Sequence, residues 1–289
     1  MTVVAVTGVT GWLGRAAAEV AAASGHDVRG FASSASTVWL DQGGELDVRP
    51  LAELPQTPHD VLLHYAFLTR EQVGRVGHEE YVRANASISR TVLDALAAQT
   101  PAALVHASSG AAVSRGSLGE DPYGALKAAD EIAFANAAPR CLNLRVFNVS
   151  GPWITKPSGF AISDLLVQAA EGGPVRLAAG NPVVRSYVDV EDLAFLALAW
   201  AFSDEPTLTV ETAGEREVEL GELAEDVIDL LGPSDRTIER PHGESAAPDR
   251  YVGSAQEFRE LASRLGVRLR PLSEQLRRTA EALGIEPPT

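Results

Sequence analysis

Three evenly spaced glycines stand where a short apolar strand meets a helix near the start of the chain. Gly8, Gly11 and Gly14 follow the apolar run Val3–Val6 and open the amphipathic segment Trp12–Ala23. Glycine permits the positive φ of a tight turn, and its missing side chain lets the backbone approach a pyrophosphate closely. The N–H groups of a first helical turn bind phosphate. Because a strand precedes the glycines and a helix follows them, the turn predicts a dinucleotide site.

Apolar runs alternate with longer amphipathic stretches through the first half of the chain. This alternation is typical of a doubly wound parallel sheet, and the early strands are apolar on both faces, as buried parallel strands are. We therefore predict an α/β fold. The predicted strands are Val3–Val6, Val28–Phe31, Glu45–Val48, Val61–His64, Ala103–Ala107 and Cys141–Phe147. The predicted helices among them are Trp12–Ala23, Glu79–Ala98 and Tyr123–Ala137.

The pattern becomes looser in the second half, where Pro and Gly are frequent. We predict a dinucleotide-binding domain over residues 1–150 and a smaller C-terminal substrate lobe over residues 151–289, interleaved with the last strands of the sheet. The segment Thr237–Arg250 is polar and contains proline, which predicts a loop. The other predicted elements are the strand Val183–Val188 and the helices Ile162–Glu171, Glu191–Phe202, Leu220–Leu231, Ala255–Leu265 and Leu272–Leu283.

The composition narrows the classes of function. The formal net charge is −15 with no basic stripe, so the surface repels nucleic acid. The one cysteine, Cys141, cannot form a disulfide or a thiolate metal site within the chain, and no paired metal-ligand spacing is present. Residue 1 leads directly into a strand without the basic region of a signal peptide. The longest apolar stretch, Leu193–Phe202, is too short to span a bilayer. We expect a cytoplasmic protein with a small-molecule substrate and no metal.

A phenol and an ammonium group share one face of a predicted helix. Tyr123 and Lys127 are four residues apart, so their side chains are neighbours on the helix surface. A nearby ammonium lowers the pKa of a phenol toward values useful for proton transfer. Ser108 and Ser109 end a strand at the edge where doubly wound sheets place ligands, and a hydroxyl there could bind a substrate oxygen. Together these groups predict hydride chemistry at a carbonyl or a secondary alcohol.

The end of the second strand carries no carboxylate. An acid about 20 residues beyond the glycine turn holds the adenosine ribose of NAD, but Ala32, Ser33 and Ser34 stand at that place. Nothing there repels a 2′-phosphate, and Ser33, Ser34 and Arg29 could accept one. This favours NADP(H) over NAD(H) by a small margin.

Several short strings follow one another along most of the chain. They are Thr7–Gly14, His64-Tyr65-Ala66, Val82–Asn85, Ser108-Ser109, Tyr123-x-x-x-Lys127, Leu144–Asn148 with Gly151-Pro152, and Arg185–Ala194. In this order they resemble the extended short-chain dehydrogenase/reductases, the NAD-dependent epimerase/dehydratase family that acts on nucleotide sugars. The resemblance implies a Rossmann-type sheet.

The resemblance implies a role for each matching residue. Tyr123 is the expected acid/base, Lys127 binds the nicotinamide ribose and tunes Tyr123, and Ser109 hydrogen-bonds the reacting oxygen, with Ser108 as the alternative. The remaining implied residues bind cofactor or substrate. They are Gly8, Gly11, Gly14 and the backbone of Trp12 and Leu13 at the pyrophosphate, Ser33, Asp47 and Val48 on the adenosine side, Tyr65, Ala66 and Val146 beside the nicotinamide, and Asn148 and Arg185 at the nucleotide-sugar diphosphate.

The same resemblance separates the possible reactions. Dehydratases of the family resemble one another in an Asp-Glu pair after the catalytic hydroxyl, whereas Gly110 and Ala111 follow Ser109 here. Dehydration is therefore not expected. A nucleotide-sugar 4-ketoreductase is favoured, a 4-epimerase with retained NAD is the alternative, and a non-catalytic NAD(P)-binding regulatory protein is the third possibility.

Two further expectations concern the partner and the second phosphate contact. Apolar residues on more than one face of Glu79–Ala98 and small residues along the Tyr123 helix predict a homodimer, because these two helices form the dimer interface in related proteins. The place of the second diphosphate-binding arginine of such proteins holds Glu244, and Arg250 is the expected substitute. For Arg185 the alternative to phosphate binding is an ion pair with a carboxylate such as Asp189 or Glu191.

Overall fold

The computed structural model describes residues 1–114, 118–232, 236–241 and 247–286. The chain divides into two compact units, Met1–Val146 with Ala194–Glu211, and Phe147–Leu193 with Thr212–Thr289. Residues 194–211 group with the first unit, where their strand joins the large sheet. The division into a dinucleotide-binding domain over residues 1–150 and a substrate lobe interleaved with the last strands stays a prediction.

Helices and strands alternate along the described residues. The helices are α1 Trp12–Ala23, α2 Val73–Val76, α3 His78–Gln99, α4 Pro122–Ala137, α5 Ala161–Glu171, α6 Val190–Ala201, α7 Leu220–Leu230, α8 Ala255–Arg264 and α9 Leu272–Ala282. The strands are β1 Val3–Thr7, β2 Asp27–Ala32, β3 Ser36–Leu40, β4 Gly44–Pro50, β5 Val61–His64, β6 Ala103–Ser109, β7 Cys141–Val146, β8 Asn148–Ser150, β9 Val175–Arg176, β10 Val183–Arg185, β11 Tyr187–Asp189, β12 Leu208–Glu211, β13 Val218–Glu219, β14 Ile238–Glu239 and β15 Asp249–Tyr251.

The first unit is built on an eight-stranded sheet. Its order is β12-β7-β6-β5-β1-β2-β4-β3, and every pairing is parallel except β3 with β4. The order reverses between β1 and β5, which places the end of β1 at the switch point where doubly wound sheets bind ligands. The predicted doubly wound parallel sheet is confirmed. The edge strand β3 is an addition that the sequence reasoning missed.

The sheet forms because its central strands are apolar and have few side chains that need water. β5 and β6 are buried along their whole length. A core cluster joins the sheet to α3 and α4 through fully buried side chains that include Phe31, Leu62, Leu104 and Phe134. Burial of one such side chain contributes about 1.5–3 kcal/mol, so these contacts fasten α3 and α4 to the sheet.

The helix that carries Tyr123 begins one residue earlier than predicted. Asp121 is its N-cap and accepts a hydrogen bond from the backbone N–H of Gly124 at 3.2 Å, while Pro122 occupies the first helical position. A side-chain oxygen at the N-cap and a proline at the start are both favourable for helix initiation. Tyr123 therefore lies half-buried in the first turn of the helix.

The second unit has a core of its own. Its cluster joins α5, α7 and α9 through apolar side chains such as Leu166, Leu223 and Leu276. The predicted strand Val183–Val188 was wrong, because β10 and β11 are separate strands in different sheets, broken at Ser186. At this break the Ser186 hydroxyl accepts a hydrogen bond from the backbone N–H of Gly214 at 2.8 Å.

The predicted loop Thr237–Arg250 holds two short strands at its ends. β14 pairs in parallel with β9, and β15 pairs in parallel with β10. These strands are only two and three residues long. A segment so short shows no alternation of polar and apolar residues from which a strand could be predicted. Glu244 lies outside the described residues. No helix in the described ranges combines the length and apolar character needed to cross a bilayer.

Candidate functional site

The three glycines of the β1–α1 turn lie where backbone segments touch. Gly8 has φ +70°, and a Cβ atom added to it would stand 2.7 Å from the backbone nitrogen of Ala66. A Cβ atom on Gly14 would stand 2.1 Å from the carbonyl oxygen of Gly8, and one on Gly11 would stand 3.3 Å from the same oxygen. The turn is therefore closed tightly onto itself and onto the residues after β5, which leaves no room for side chains.

The N-terminus of α1 opens from this turn. Gly11 is its N-cap, with extended backbone angles, and no side chain caps the helix. The first helical turn contains no acidic residue, so nothing there opposes an anion at the positive end of the helix dipole. Trp12 has a buried side chain and Leu13 a half-buried one. These features fit a backbone cradle for phosphate.

Thr7 ties the glycine turn to the end of β5. Its hydroxyl accepts hydrogen bonds from the backbone N–H groups of Tyr65 and Ala66 at 3.1 and 3.2 Å, and lies 2.7 Å from Nδ1 of His64. Burial lowers the pKa of His64 to about 3, so the imidazole is neutral. With its oxygen accepting twice, the hydroxyl has its hydrogen left to donate to Nδ1. Sequence reasoning assigned no role to Thr7, although it opens the glycine string.

The residues expected beside the nicotinamide lie at the ends of β5 and β7, the two strands that flank β6. Tyr65 and Ala66 follow β5, and Val146 ends β7 half-buried. The hydroxyl of Tyr65 is buried, with no hydrogen-bond partner among the described residues. Burial raises the pKa of this phenol well above its ordinary value, so it stays protonated.

The residues expected on the adenosine side lie on β2 and β4. Ser33 is exposed immediately after β2, Asp47 is exposed on β4, and Val48 is buried next to Gly30 of β2. The side chain of Arg29 forms an ion pair with Asp27. The end of β2 thus presents hydroxyls, and the nearby arginine is already engaged by a carboxylate.

Tyr123 and Lys127 meet around one aromatic ring. The Tyr123 ring stands edge-on to Phe67 with centroids 5.8 Å apart, and the Lys127 ammonium lies 3.8 Å from the centroid of the same ring. The guanidinium of Arg70 lies 5.4 Å from the Tyr123 ring. A cation over an aromatic face is attracted by the ring quadrupole. Phe67 therefore contacts both predicted catalytic side chains. The sequence did not single it out.

Lys127 is buried and its pKa is low for a lysine. Its ammonium donates a hydrogen bond to the carbonyl of Ala107 at 2.6 Å. Burial lowers the pKa to about 8, and the carboxylates of Asp130 and Glu131 partly offset this effect. Lys127 is thus held charged close to neutral pH, beside the end of β6.

The two serines that end β6 have different surroundings. Ser109 is buried, and its hydroxyl accepts a hydrogen bond from the backbone N–H of Ala111 at 3.2 Å. Ser108 donates to Glu131 at 2.5 Å. Because successive side chains of a strand point to opposite faces, the hydroxyl of Ser108 serves the contact between strand and helix, which leaves Ser109 as the better candidate for a substrate contact.

The predicted diphosphate residues both lie in the second unit. The Asn148 side chain donates to the carbonyl oxygen of Tyr251 at 3.1 Å. The Arg185 guanidinium donates to the carbonyl and the carboxylate of Asp249, at 3.0 and 2.8 Å. Arg250 forms an ion pair with Glu217. A carboxylate therefore occupies the position on Arg185 that a phosphate would take.

The carboxylates that the sequence offered as alternative partners of Arg185 are used elsewhere in the second unit. Asp189 and Glu191 pair with Arg278, and Glu191 also pairs with Arg270. Within the described ranges no group of three or more His, Cys, Asp or Glu side chains is arranged to hold a metal ion.

Comparison with known proteins gives one family and a set of similar folds. The family model described as the NAD dependent epimerase/dehydratase family matches residues 4–207. No curated protein matches the sequence. The chain is similar in structure to a UDP-N-acetylglucosamine 4-epimerase from Methanobrevibacter ruminantium M1 in complex with UDP-N-acetylmuramic acid, with 19% identity, 98% of each chain covered and a TM-score of 0.79.

Two other solved structures are similar over the full length. A UDP-glucose 4-epimerase from Brucella ovis in complex with NAD is 20% identical, with 100% of each chain covered and a TM-score of 0.78. A UDP-N-acetylglucosamine 4-epimerase from Bacillus cereus is 19% identical, with 100% of this chain and 99% of the other covered and a TM-score of 0.75. These likenesses establish a Rossmann-type fold. Because the family model spans more than half of the residues, the chain belongs to the NAD-dependent epimerase/dehydratase family, whose members are enzymes.

Proposed function

We propose that the protein is an NAD(P)-dependent enzyme that acts on carbon 4 of nucleotide-diphosphate sugars, most simply as a 4-epimerase. The observation that carries the proposal is the pairing of Tyr123 with the buried, charged Lys127 around Phe67, close in sequence to Ser109 at the end of β6. The family assignment supports it, as do the names of the three similar structures, all of which are 4-epimerases.

The first unit fits a nicotinamide dinucleotide. A Cβ atom on Gly8 or Gly14 would clash with backbone, so this turn needs glycine, and no side chain caps the start of α1, which leaves its N–H groups for a phosphate. In the proposed site the backbone of Trp12 and Leu13 holds the pyrophosphate, Ser33, Asp47 and Val48 border the adenosine, and Tyr65, Ala66 and Val146 border the nicotinamide. When bound, the cofactor accepts and returns a hydride.

The chain's own residues carry the proton chemistry. Tyr123 takes a proton from the substrate hydroxyl during oxidation and gives it back during reduction. The charge of Lys127 favours the deprotonated phenol of Tyr123 and binds the nicotinamide ribose. Ser109 donates a hydrogen bond to the reacting oxygen. Gly110 and Ala111 supply no acid or base after Ser109, so a dehydration step is not part of the proposal.

In the second unit, Asn148 and Arg185 are the proposed contacts of the diphosphate. Arginine presents a planar fork of donors that suits phosphate oxygens bidentately. The pair with Asp249 keeps the guanidinium oriented at the end of β10 until an anion replaces the carboxylate.

A second candidate, a 4-ketoreductase that releases NADP after each turnover, is favoured by one observation. Ser33 is exposed at the end of β2, and no carboxylate stands at Ala32, Ser33 or Ser34. The end of β2 therefore offers space and hydrogen-bond donors for the 2′-phosphate of NADP(H). A ketoreductase of this kind would prefer NADP(H) to NAD(H).

Two measurements separate these functions. Purified protein is denatured and the supernatant analysed for nicotinamide nucleotide, and turnover is measured with UDP-sugars with and without added NAD(P)H. An epimerase carries bound cofactor and turns over without addition, whereas a ketoreductase consumes NADPH stoichiometrically with a keto-sugar. No turnover in any of these assays would favour a regulatory protein and contradict both proposals.

The Tyr123→Phe variant tests the catalytic assignment. It removes the titrating hydroxyl and keeps the ring against Phe67, so turnover should fall by about 10²–10⁴-fold while cofactor still binds. Turnover close to that of the wild type would contradict the role of Tyr123.

A further inference from the structure

Glu131 lies on the same face of α4 as the proposed catalytic pair. It follows Lys127 by four residues and Tyr123 by eight, and residues four apart on a helix are neighbours. Its side chain is buried. None of the cofactor, proton-transfer or phosphate roles proposed above uses this buried carboxylate.

The Glu131 carboxylate connects three elements of the first unit. It accepts two hydrogen bonds from Arg145 of β7, from Nε and Nη2, both at 2.8 Å, and a third from the Ser108 hydroxyl of β6 at 2.5 Å. Bidentate pairs with arginine fix direction as well as distance. The helix face of Tyr123 is thereby locked in register with the strand end that carries Ser109.

The same carboxylate acts on the charge of Lys127. Among the groups around that ammonium, Asp130 and Glu131 of α4 favour its charged form. His64 of β5 and His106 of β6 are buried and have pKa values below the ordinary value, so they are neutral and add no negative charge. Asp130 has the larger effect on Lys127 and Glu131 the smaller one, but Glu131 is the carboxylate that hydrogen bonds from Arg145 and Ser108 hold in place.

We propose that Glu131 is a positioning residue of the active site, which aligns α4 with the end of β6 through Arg145 and Ser108 and, next to Asp130, contributes a negative charge that favours the protonated form of the buried Lys127. The inference rests on the proposed function for the roles of Lys127 and Ser109, but its central test uses neither substrate nor cofactor.

The test uses the fact that Lys127 and Lys156 are the two lysines of the chain. Protein labelled with 15N at the lysine side chains gives two ammonium signals, which a Lys156→Arg variant assigns, and the signal of Lys127 is followed from pH 6 to 11. In Glu131→Gln the midpoint of the Lys127 titration should move to lower pH by about one unit, as expected for loss of a nearby opposite charge. A midpoint equal to that of the wild type would overturn the proposal.

A matched control removes a carboxylate of the same unit that lies away from Lys127. Asp94 pairs with Arg90 on the exposed face of α3. Asp94→Asn changes the net charge by the same amount as Glu131→Gln and should leave the Lys127 midpoint in place. An equal shift in both variants would mean that the effect is one of net charge, and the proposal would be wrong.

A double variant covers the case in which Glu131→Gln does not fold, because it leaves Arg145 with Glu211 as its remaining partner at 3.5 Å. Glu131→Gln with Arg145→Met removes both charges, which proteins tolerate better than a half-broken buried pair. The Lys127 midpoint should still fall, but by less than in Glu131→Gln, because a positive charge is removed together with the negative one. An unchanged or raised midpoint would overturn the proposal.

The kinetic readout separates positioning from stability. In the variant the alkaline limb of kcat should move to lower pH with the Lys127 midpoint, while KM stays close to the wild-type value. If the Lys127 midpoint moves but the alkaline limb of kcat does not, the role of Glu131 in catalysis is refuted. If the wild type has no turnover although the midpoint moves as expected, the charge effect stands and the proposed function fails.

Discussion

Burial of the Lys127 ammonium makes the stability of the first unit depend on pH. Its pKa falls from 10.5 to about 8 on folding, chiefly because burial disfavours the charged form. One pKa unit corresponds to about 1.4 kcal/mol, so a fully charged Lys127 costs about 3 kcal/mol of folding free energy. Below pH 8 both folded and unfolded chains carry the proton, and the whole cost is present.

The sign follows from the number of protons that each state binds. Between pH 8 and 10.5 the unfolded chain binds more protons at this lysine than the folded chain, so the free energy of unfolding rises with pH in that window. Lys127→Met removes this titration. The stability of the wild type minus that of Lys127→Met should therefore increase by up to about 3 kcal/mol from pH 7.5 to 10.5.

Urea denaturation of the two proteins at several pH values measures this difference. Taking the difference cancels groups that titrate equally in both chains. Lys156→Met, at an exposed position, is the matched control, and the slope should belong to the Lys127 variant alone. A difference that stays constant or decreases across the window would refute the assignment of a buried, charged Lys127.

Three further predictions concern binding and assembly. Asp249→Asn should tighten the binding of UDP, measured by calorimetry, by at most about fivefold, since an exposed ion pair contributes about 0.2–1 kcal/mol; Arg185→Met should weaken it, and equal affinity in all three proteins would place the diphosphate elsewhere. Fluorescence titration should give a lower Kd for NADPH than for NADH if Ser33 and its neighbours accept the 2′-phosphate, and tighter binding of NADH would reject that preference. Light scattering at micromolar concentration should give the mass of a dimer, and Ile132→Glu, at an apolar side chain that is 65% exposed on α4, should shift it toward the monomer; a monomeric wild type would contradict the prediction.

The first half of the fold could be predicted because its signals are local. An apolar strand, a glycine turn and an amphipathic helix follow one another in β1 and α1, and each can be recognised from consecutive residues. The family was also predictable, because its strings are short and lie at strand and helix ends, and the match over residues 4–207 confirms it. The assigned roles of Ser109, Tyr123, Lys127 and Arg185 stay predictions.

The parts that were missed depend on contacts between distant residues. β3 pairs antiparallel with β4, and its neighbourhood is held by α1, where Glu19 accepts the backbone N–H of Asp41 at 2.9 Å. The partner of Arg185 is Asp249, brought beside it by the parallel pairing of β10 with β15. Nothing in the spacing of these residues along the chain could indicate such pairs.

The contact between Arg185 and Asp249 would make the proposed anion binding in the second unit an exchange of counter-ions. The guanidinium already binds a carboxylate. The binding free energy of an incoming anion is therefore only the difference between two ion pairs, and the charge of the anion alone contributes little to it. Preference then goes to an anion that satisfies both arms of the fork at once. Small monovalent anions, which cannot do so, are poor competitors, and affinity at this position should be less sensitive to added chloride than an open arginine would make it.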